Sequence, residues 1–474
     1  MYEAVVGLEI HLALDTQSKI FSSAKADSFG EAPNVNIDPI SLGLPGTLPV
    51  LNEAVIDKAI MFSLAVNCQV PDTMQFHRKH YFYPDLPKNY QISQFDRPVG
   101  EHGFIELANG KRIGITRCHI EEDAGKSVHP TYADYSLVDL NRTGAPLIEM
   151  VTEPDIRSGE EAREFLMKVR AIAQALGVSR ANPEEGKMRA DVNISVRLPN
   201  DPFGTKVEVK NLNSFQSVER AIEFETKRQS RLLEGGGKIT QSTLGWDEGG
   251  QKTYLMRVKE GEADYRYFPE PDLPPIVIGK DWLERVREQT PELPDVKLER
   301  YLTAGVRDAD ARLIAYAIDV ATIFDATLVT YQGNPQNVAN WLNSEVQGWL
   351  NSERVSWQDS HLQPAHLASL LTMIDAGEIS GKTAKDILPE VMNGQDPVVI
   401  VESRGLKQLT DTSAIEAMVD TVIANNPKIV ANVAENPKAI NALLGQVMKE
   451  SQGKAKPDVV RSLLMEKLNV VETA

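Results

Sequence analysis

Cysteine is almost missing from this chain: Cys68 and Cys118 are the only two in 474 residues. Neither a disulfide framework nor a paired metal-binding motif can be built from them, which fits a reducing compartment. Both lack the flanking glycines of a nucleophilic thiol turn and read as buried bystanders. No apolar run approaches the roughly 20 residues that span a bilayer, and the start, MYEAVVGLEIH, has neither the basic nor the apolar region of a secretory leader. A cytoplasmic protein without membrane attachment is expected. Familiar catalytic signatures are absent as well. Gly125-Lys126-Ser127 resembles the end of a phosphate-binding P-loop but has Ile120 where the first glycine belongs, and before Gly381-Lys382-Thr383 the glycine at 377 stands one residue too close. There is no Gly-x-Ser-x-Gly elbow, His-Glu-x-x-His helix or EF-hand loop.

Positive charge is also short, with 50 Lys and Arg against 67 Asp and Glu for a net −17. That balance argues against nucleic acid as a partner, since phosphate binding leaves a basic footprint. Its distribution weakens the exclusion. Residues 1–294 carry 34 basic and 44 acidic side chains, residues 295–400 carry 7 and 14, and residues 401–474 carry 9 of each. The tail is neutral where everything before it is acidic, and Lys449, Lys454 and Lys456 cluster there in VMKESQGKAKP. With 42% hydrophobic and 25% charged residues the composition is that of a soluble globular protein, and the length suits about three domains.

What the chain does have is acids and imidazoles on segments of strand character. In VVGLEIH, Val6, Leu8, Ile10 and Leu12 fall on one face and Gly7, Glu9 and His11 on the other, because strand side chains alternate. In RCHIEEDAGK, Arg117, His119, Glu121 and Asp123 share a parity that Glu122 breaks, so a bend there would bring adjacent carboxylates toward one point, a seat for a hard divalent ion. RADVNISVRL sends Arg189, Asp191, Asn193, Ser195 and Arg197 one way; VDLNR does the same with Asp139 and Asn141, and KVEVKN with Glu208 and Lys210. One such strand is most simply the wet side of an antiparallel sheet. Five of them, mixing Glu, Asp, Asn, His, Arg and Lys, point to a site.

Residues 1–294 thus read as mixed strands and helices. Asn52 caps a helix into EAVIDKAIMFSLAV, Ser158 with Glu161 forms a capping box for a helix that Gly177 stops, and a further helix runs from about Ser217 to Leu233. One internal echo stands out, HYFYPDLP at 80–87 and YRYFPEPDLP at 265–274. From Leu293-Pro294 the texture turns helical, with helices expected over Leu298–Val306, Ala309–Ile323, Val338–Leu350 and His366–Ala376. After a short apolar passage at Pro397–Gly405, Asn426-Pro427 and Asn436-Pro437 look like helix starts, which makes a small C-terminal bundle plausible.

These strings together resemble the B subunit of the tRNA-dependent amidotransferases, the GatB family, from one end of the chain to the other. The resemblance rests on GLEIHLALDTQSKIF at 7–21, SLGLPGTLPVLN at 41–52, HRKHYFYPDLPKNYQISQ at 77–94, HIEEDAGKS at 119–127, NRTGAPLIEMVTEPD at 141–155, RADVNISVR at 189–197, KVEVKNLNSF at 207–215, DYRYFPEPDLPP at 264–275 and LLGQVMKESQGKAKP at 443–457. It implies an α+β fold: a cradle-shaped domain of mixed, largely antiparallel sheet with helices over 1–294, an all-helical domain over 295–400 and a small YqeY-like helical tail over 401–474. It implies a ligase that uses ATP to phosphorylate the side-chain carboxylate of Glu on tRNA(Gln) or Asp on tRNA(Asn). Ammonia from an amidase A subunit, which takes it from glutamine, then displaces the phosphate, and a small C subunit holds the pair together. A catalytically silent tRNA-binding scaffold is the alternative.

A carboxylate attacking ATP is an anion approaching an anion, so Mg²⁺ and cationic side chains must offset charge. By resemblance to the family's GLEIH and HIEED strings, Glu9, His11, Glu121 and Glu122 are expected around the metal, with Asp191, Asn193 and Glu208 next on the same face. Arg78, Lys79, Arg189 and Lys210 are expected to meet phosphate, and Lys449, Lys454 and Lys456 to contact tRNA. Several family members bind zinc through Cys-x-x-Cys before the GLPG string; this chain has Asp38-Pro39-Ile40-Ser41 there, so no zinc is expected.

Overall fold

The computed structural model describes residues 2–258, 265–408, 412–436, 439–451, 454–468 and 470. The chain divides into two compact units, Met1–Val296 and Lys297–Ala474.

The first unit is built on one eight-stranded sheet. Its strands in chain order are β1 (Glu3–Ala13), β2 (Gly100–Glu106), β3 (Arg112–Glu122), β4 (Pro146–Thr152), β5 (Met188–Arg197), β6 (Val207–Lys210), β7 (Ser242–Asp247) and β8 (Lys252–Val258). They lie in the order β8-β7-β6-β5-β1-β4-β3-β2. Every pairing is antiparallel except β6 with β7. One side of β1, with Val6, Leu8, Ile10 and Leu12 each at most 1% exposed, enters a core. Helices α1 (Glu53–Ala65), α2 (Gly159–Ala175) and α3 (Phe215–Glu234) supply Ile56, Phe62, Phe165, Val169 and Val218 to that core. The helices therefore cover one face of the sheet and leave the face carrying the alternate residues for chemistry.

The caps follow local sequence. The Asn52 side chain accepts from the Ala54 amide at 3.0 Å. Ser158 Oγ accepts from the Glu161 amide at 3.1 Å, and the Glu161 carboxylate turns back to the Arg157 amide at 2.8 Å, one residue before the cap, closing a widened version of the expected box. Gly177, at φ +61, takes the left-handed position that ends α2.

One expected strand lies elsewhere. Leu137–Asp139 pairs with Lys126–Val128 in a separate two-stranded sheet rather than joining the large one. Its polar residues tie down a loop: Asn141 accepts from the Asn36 amide at 2.8 Å and donates to the Ala32 carbonyl at 2.7 Å.

The second unit is helical. The stretch expected as one helix over Ala309–Ile323 is two, Asp308–Ala315 and Ile318–Thr330, bent by 111°. The break falls at Ala317, whose extended backbone (φ −117, ψ 98) cannot continue the first helix. The apolar passage at 397–405 is itself a helix, Pro397–Ser403, capped by Asp396 on the Val398 amide. Leu298, Phe324, Leu342, Leu367, Ile387 and Val401 belong to one core, and Ile415, Val419, Leu443, Val447, Val460 and Leu464 to another. Pro427 opens the helix Pro427–Glu435 as expected; Pro437 lies outside the described residues. Among the described residues no single helix is long and apolar enough to cross a membrane.

Candidate active site

The face of the sheet opposite the helices collects acids from five neighbouring strands by register, and Glu121, Glu149 and Glu208 are buried there. Glu9 lies opposite Asp191, His11 lies opposite both Arg189 and Glu149, His119 opposite Glu149, and Asn193 opposite Glu208. Because side chains on paired residues point the same way, these pairings stack polar groups across strands that are far apart in sequence.

Two acid clusters result. In the first, His11, Glu121 and Glu149 bring ligand atoms within 4.8 Å of one another. His11 Nε2 stands 3.5 Å from Glu149 and 3.7 Å from Glu121, and His119 Nε2 stands 3.2 Å from Glu149 and 3.7 Å from Glu121. Burial alone would keep both imidazoles neutral, but the adjoining carboxylates outweigh it: His11 is raised from its ordinary value and His119 is pushed up to about 9. Desolvation and mutual repulsion oppose ionisation of the two acids, yet the imidazoles and Lys79 hold Glu121 and Glu149 below the usual carboxylate range. In the second cluster, Glu9, Asp191 and Glu208 likewise offer atoms within 4.8 Å. Asn193 donates to Glu9 at 2.9 Å, Lys210 bonds Asp191 and stands 3.0 Å from Glu208, and Thr243 donates to Glu208 at 2.9 Å. Both donor sets consist of oxygen-rich ligands with at most one imidazole, a chemistry that fits Mg²⁺.

The expected residues do not all converge. Glu122 points away from the first cluster: it bonds Lys88 and accepts from the Ile92 amide at 2.9 Å, so adjacent positions on β3 send their carboxylates to opposite sides. Glu9 sits with Asp191 and Glu208 rather than with His11. Of the four expected phosphate contacts, Arg78 makes a two-pronged pair with the buried Glu270 at 2.7 and 2.9 Å, Arg189 pairs with Asp123 at 3.3 Å, and Lys210 is held as above. Lys79 differs. Its pKa is raised, because Glu121 and Glu149 overcome the cost of its burial, and its ammonium makes no ion pair among the described residues.

Three residues of this face have no role assigned from the sequence: Glu149 goes unread, while Arg117 and His119 are placed on a polar face by parity alone. Glu149 is the lone acid in the apolar run PLIEMVT, and its parity alone would have set it on one face of a strand. Arg117 shares the face of His119 and Glu121, and its buried Nε has no hydrogen-bond partner. Beside Glu9 opens a cavity of about 270 Å³ lined by Gly7, Val151, Asn193, Ser195, Phe203 and Lys206, among others. Gly7 faces this space without a side chain to fill it.

Elsewhere, Asp38 closes its own loop, accepting from the Ile40 and Ser41 amides at 2.8 and 3.0 Å and from the Ser22 and Ser41 hydroxyls at 3.0 and 2.6 Å. Of the tail lysines, Lys449 is exposed in the last turn of Ile440–Glu450, while Lys454 and Lys456 are half-buried between that helix and Pro457–Lys467.

Comparison with known proteins agrees with this architecture. The GatB/GatE catalytic domain matches residues 4–284 and the GatB domain residues 322–468. The B subunit of the aspartyl/glutamyl-tRNA(Asn/Gln) amidotransferase of Deinococcus radiodurans is 57% identical over 477 residues, covering 99% of this chain and all of that protein. Its counterparts in a strain of Thermus thermophilus and in Thermosynechococcus vestitus are 51% and 49% identical, each across 99% of this chain and 100% and 97% of the relative. With both domains matched in order and relatives this similar from end to end, the chain belongs to the GatB family of amidotransferase B subunits.

Proposed function

We propose that the face of the sheet opposite the helices phosphorylates the side-chain carboxylate of Glu carried by tRNA(Gln), or Asp carried by tRNA(Asn), and then amidates it. The relatives' names supply the substrate class. The observation that carries the chemistry is the convergence of two acid clusters across β1, flanked by Lys79 and Arg117. His11, Glu121 and Glu149, and separately Glu9, Asp191 and Glu208, would hold Mg²⁺, which when bound neutralises the triphosphate and draws it toward the attacking carboxylate. Glu121 and Glu149, held below the usual carboxylate range, support the fit to a cation, and His11 would be a ligand only in its neutral form.

The protein's own groups do the rest. Lys79 aims its ammonium at the face where the two anions meet, lowering their repulsion. Arg117 offers a donor without an internal partner to a phosphate oxygen, while Arg189 and Lys210 hold Asp123, Asp191 and Glu208 in place. The cavity beside Glu9 gives the nucleotide base an apolar seat. One oxygen of the substrate carboxylate attacks the γ-phosphorus, and the bond to the β,γ-bridging oxygen breaks to release ADP. Ammonia then attacks the acyl carbon of the acyl phosphate, loses a proton and expels inorganic phosphate. An acyl phosphate hydrolyses in water, so the ammonia must arrive by a shielded route; it is taken to come from an amidase A subunit, with a small C subunit holding the two together. Lys449, Lys454 and Lys456 are assigned to the tRNA backbone, where each positive charge adds to a salt-dependent affinity.

The test is amide formation on misacylated tRNA by the assembled complex, fed ATP, Mg²⁺ and ammonium chloride in place of glutamine. Glu121→Gln and Glu149→Gln should each cut the rate by roughly 100-fold, at the upper end of the cost of disturbing a metal ligand's surroundings, with tRNA affinity kept. A wild-type complex that binds tRNA but consumes no ATP would make this chain a scaffold.

A further inference from the structure

The echo at 80–87 and 265–274 has no part in the acid clusters, yet the fold brings its two copies together. Phe268 pairs with Arg78 and Pro269 with His77 in a small sheet completed by Tyr90–Ser93. The His80 amide donates to the Tyr265 carbonyl at 2.9 Å. Rings from both copies, joined by Phe95, make a chain of five. Phe95 lies flat on Tyr267 at 4.5 Å and 14°, Tyr267 meets Tyr265 at 6.2 Å, Tyr265 meets Tyr81 at 6.3 Å, and Tyr81 meets Tyr83 at 6.1 Å. The three inner rings are half-buried; the end rings Phe95 and Tyr83 are 50% and 58% exposed. Each end ring is braced by a less exposed neighbour yet stays at least half exposed, which a ring serving only as core would not.

The row borders the acid face. Lys79 Nζ sits 5.2 Å from the Tyr265 ring centre while its charge interacts with Glu121 and Glu149. The phenols of Tyr81 and Tyr267 are within the field of the same Glu121. Arg97, two residues from Phe95, is exposed and makes no ion pair among the described residues.

We propose that this row seats the unpaired bases at the 3′ end of the RNA substrate, with Phe95 and Tyr83 as the stacking faces. The inference rests on the reading of the acid face as the site where the aminoacyl carboxylate reacts. The aminoacyl group hangs from the terminal ribose, so the last bases must lie beside the carboxylates. Single-stranded RNA is held by aromatic platforms with cations alongside, because every base offers a flat π-face. An open series of rings suits successive bases, whereas the cavity beside Glu9 suits the single base of ATP.

The test uses the assembled complex and a tRNA whose 3′-terminal base is 2-aminopurine, a fluorophore quenched by stacking. Wild type should quench it. Phe95→Ala and Tyr83→Ala should each bind the tRNA roughly tenfold more weakly and the double alanine variant should lose quenching, Phe95→Tyr and Tyr83→Phe should keep both, and Mg-ATP affinity should not change in any of them. Unchanged quenching in the double alanine variant would overturn the proposal, as would a loss of ATP affinity with tRNA affinity intact. Quenching by a wild-type complex that consumes no ATP would uphold the platform while refuting the phosphorylation reading.

Discussion

Lys19 is a fully buried ammonium in the first unit, donating to the Asn36 carbonyl at 2.7 Å and to Ser41 Oγ at 3.4 Å. Burial disfavours its charge more than Asp38, Glu122 and Asp139 restore it, and its pKa falls to about 8. Above that pH the folded chain has lost this proton, while the unfolded chain keeps it up to about 10.5. The unfolded state thus binds more protons between the two values, and this group's contribution to stability rises with pH across that window. Lys19→Met removes the titration. Thermal unfolding of the two proteins from about pH 7 to 10.5 should show the difference moving in favour of wild type as pH climbs through about 8; a constant difference would remove Lys19 as the cause. The same scale shows what the sequence could tell of the site. Alternation placed Glu9, His11, His119 and Glu121 on polar faces, because parity belongs to a single strand. Which acids meet is a property of register between strands. Glu9 changed partners relative to the sequence reading because β5 sets Asp191 opposite it, and Glu149 enters the site because β4 inserts beside β1 and sets it opposite His11. The divergence of Glu122 needs only the pleat: the bend expected there to gather adjacent carboxylates is absent, because β3 stays in register through Glu121 and Glu122.

At the scale of elements, the sheet's outer strand β8 is fastened to α3 by one carboxylate. Glu225, fully buried, accepts two bonds from Arg228 at 2.7 Å each, one from Gln229 at 3.0 Å and one from Thr253 Oγ1 of β8 at 2.7 Å. Edge strands with a free ladder side depend on such ties, and β8 otherwise exposes Leu255, Met256 and Val258. Glu225→Ala takes the acceptor from the Thr253 hydroxyl and leaves the buried Gln229 amide only its long bond to the Ile194 carbonyl at 3.5 Å, a cost of roughly 2 kcal/mol. The measurement is urea unfolding, joined with hydrogen exchange of the β8 amides, which should speed up more than those of β1. Equal protection in both strands would deny the tie. Helix starts were the most readable elements, since Asn52 and Ser158 act through atoms a few residues away. The break near Ala317 was not, because 309–323 is apolar enough to satisfy a helical pattern throughout and the bend comes from packing.

Across the whole molecule, each unit closes apolar cores of its own: Phe165 belongs to the core under the large sheet, and Phe324, set edge-on against Tyr301 at 4.7 Å, to the core of the helical unit. Cores that share no side chains have no reason to melt as one, so equilibrium unfolding should depart from a single two-state step. Phe165→Ala and Phe324→Ala each remove a fully buried ring, at about 3–5 kcal/mol. If the units unfold separately, Phe165→Ala lowers the transition in which the sheet's signal is lost and leaves the helical one in place, and Phe324→Ala does the reverse. Trp246 in the first unit and Trp341 and Trp349 in the second provide fluorescence on each side, read in single-tryptophan versions of the chain. Were either substitution to shift both transitions equally, the two units would be one cooperative body, and the acid face would owe its rigidity to helices that contribute nothing to its chemistry.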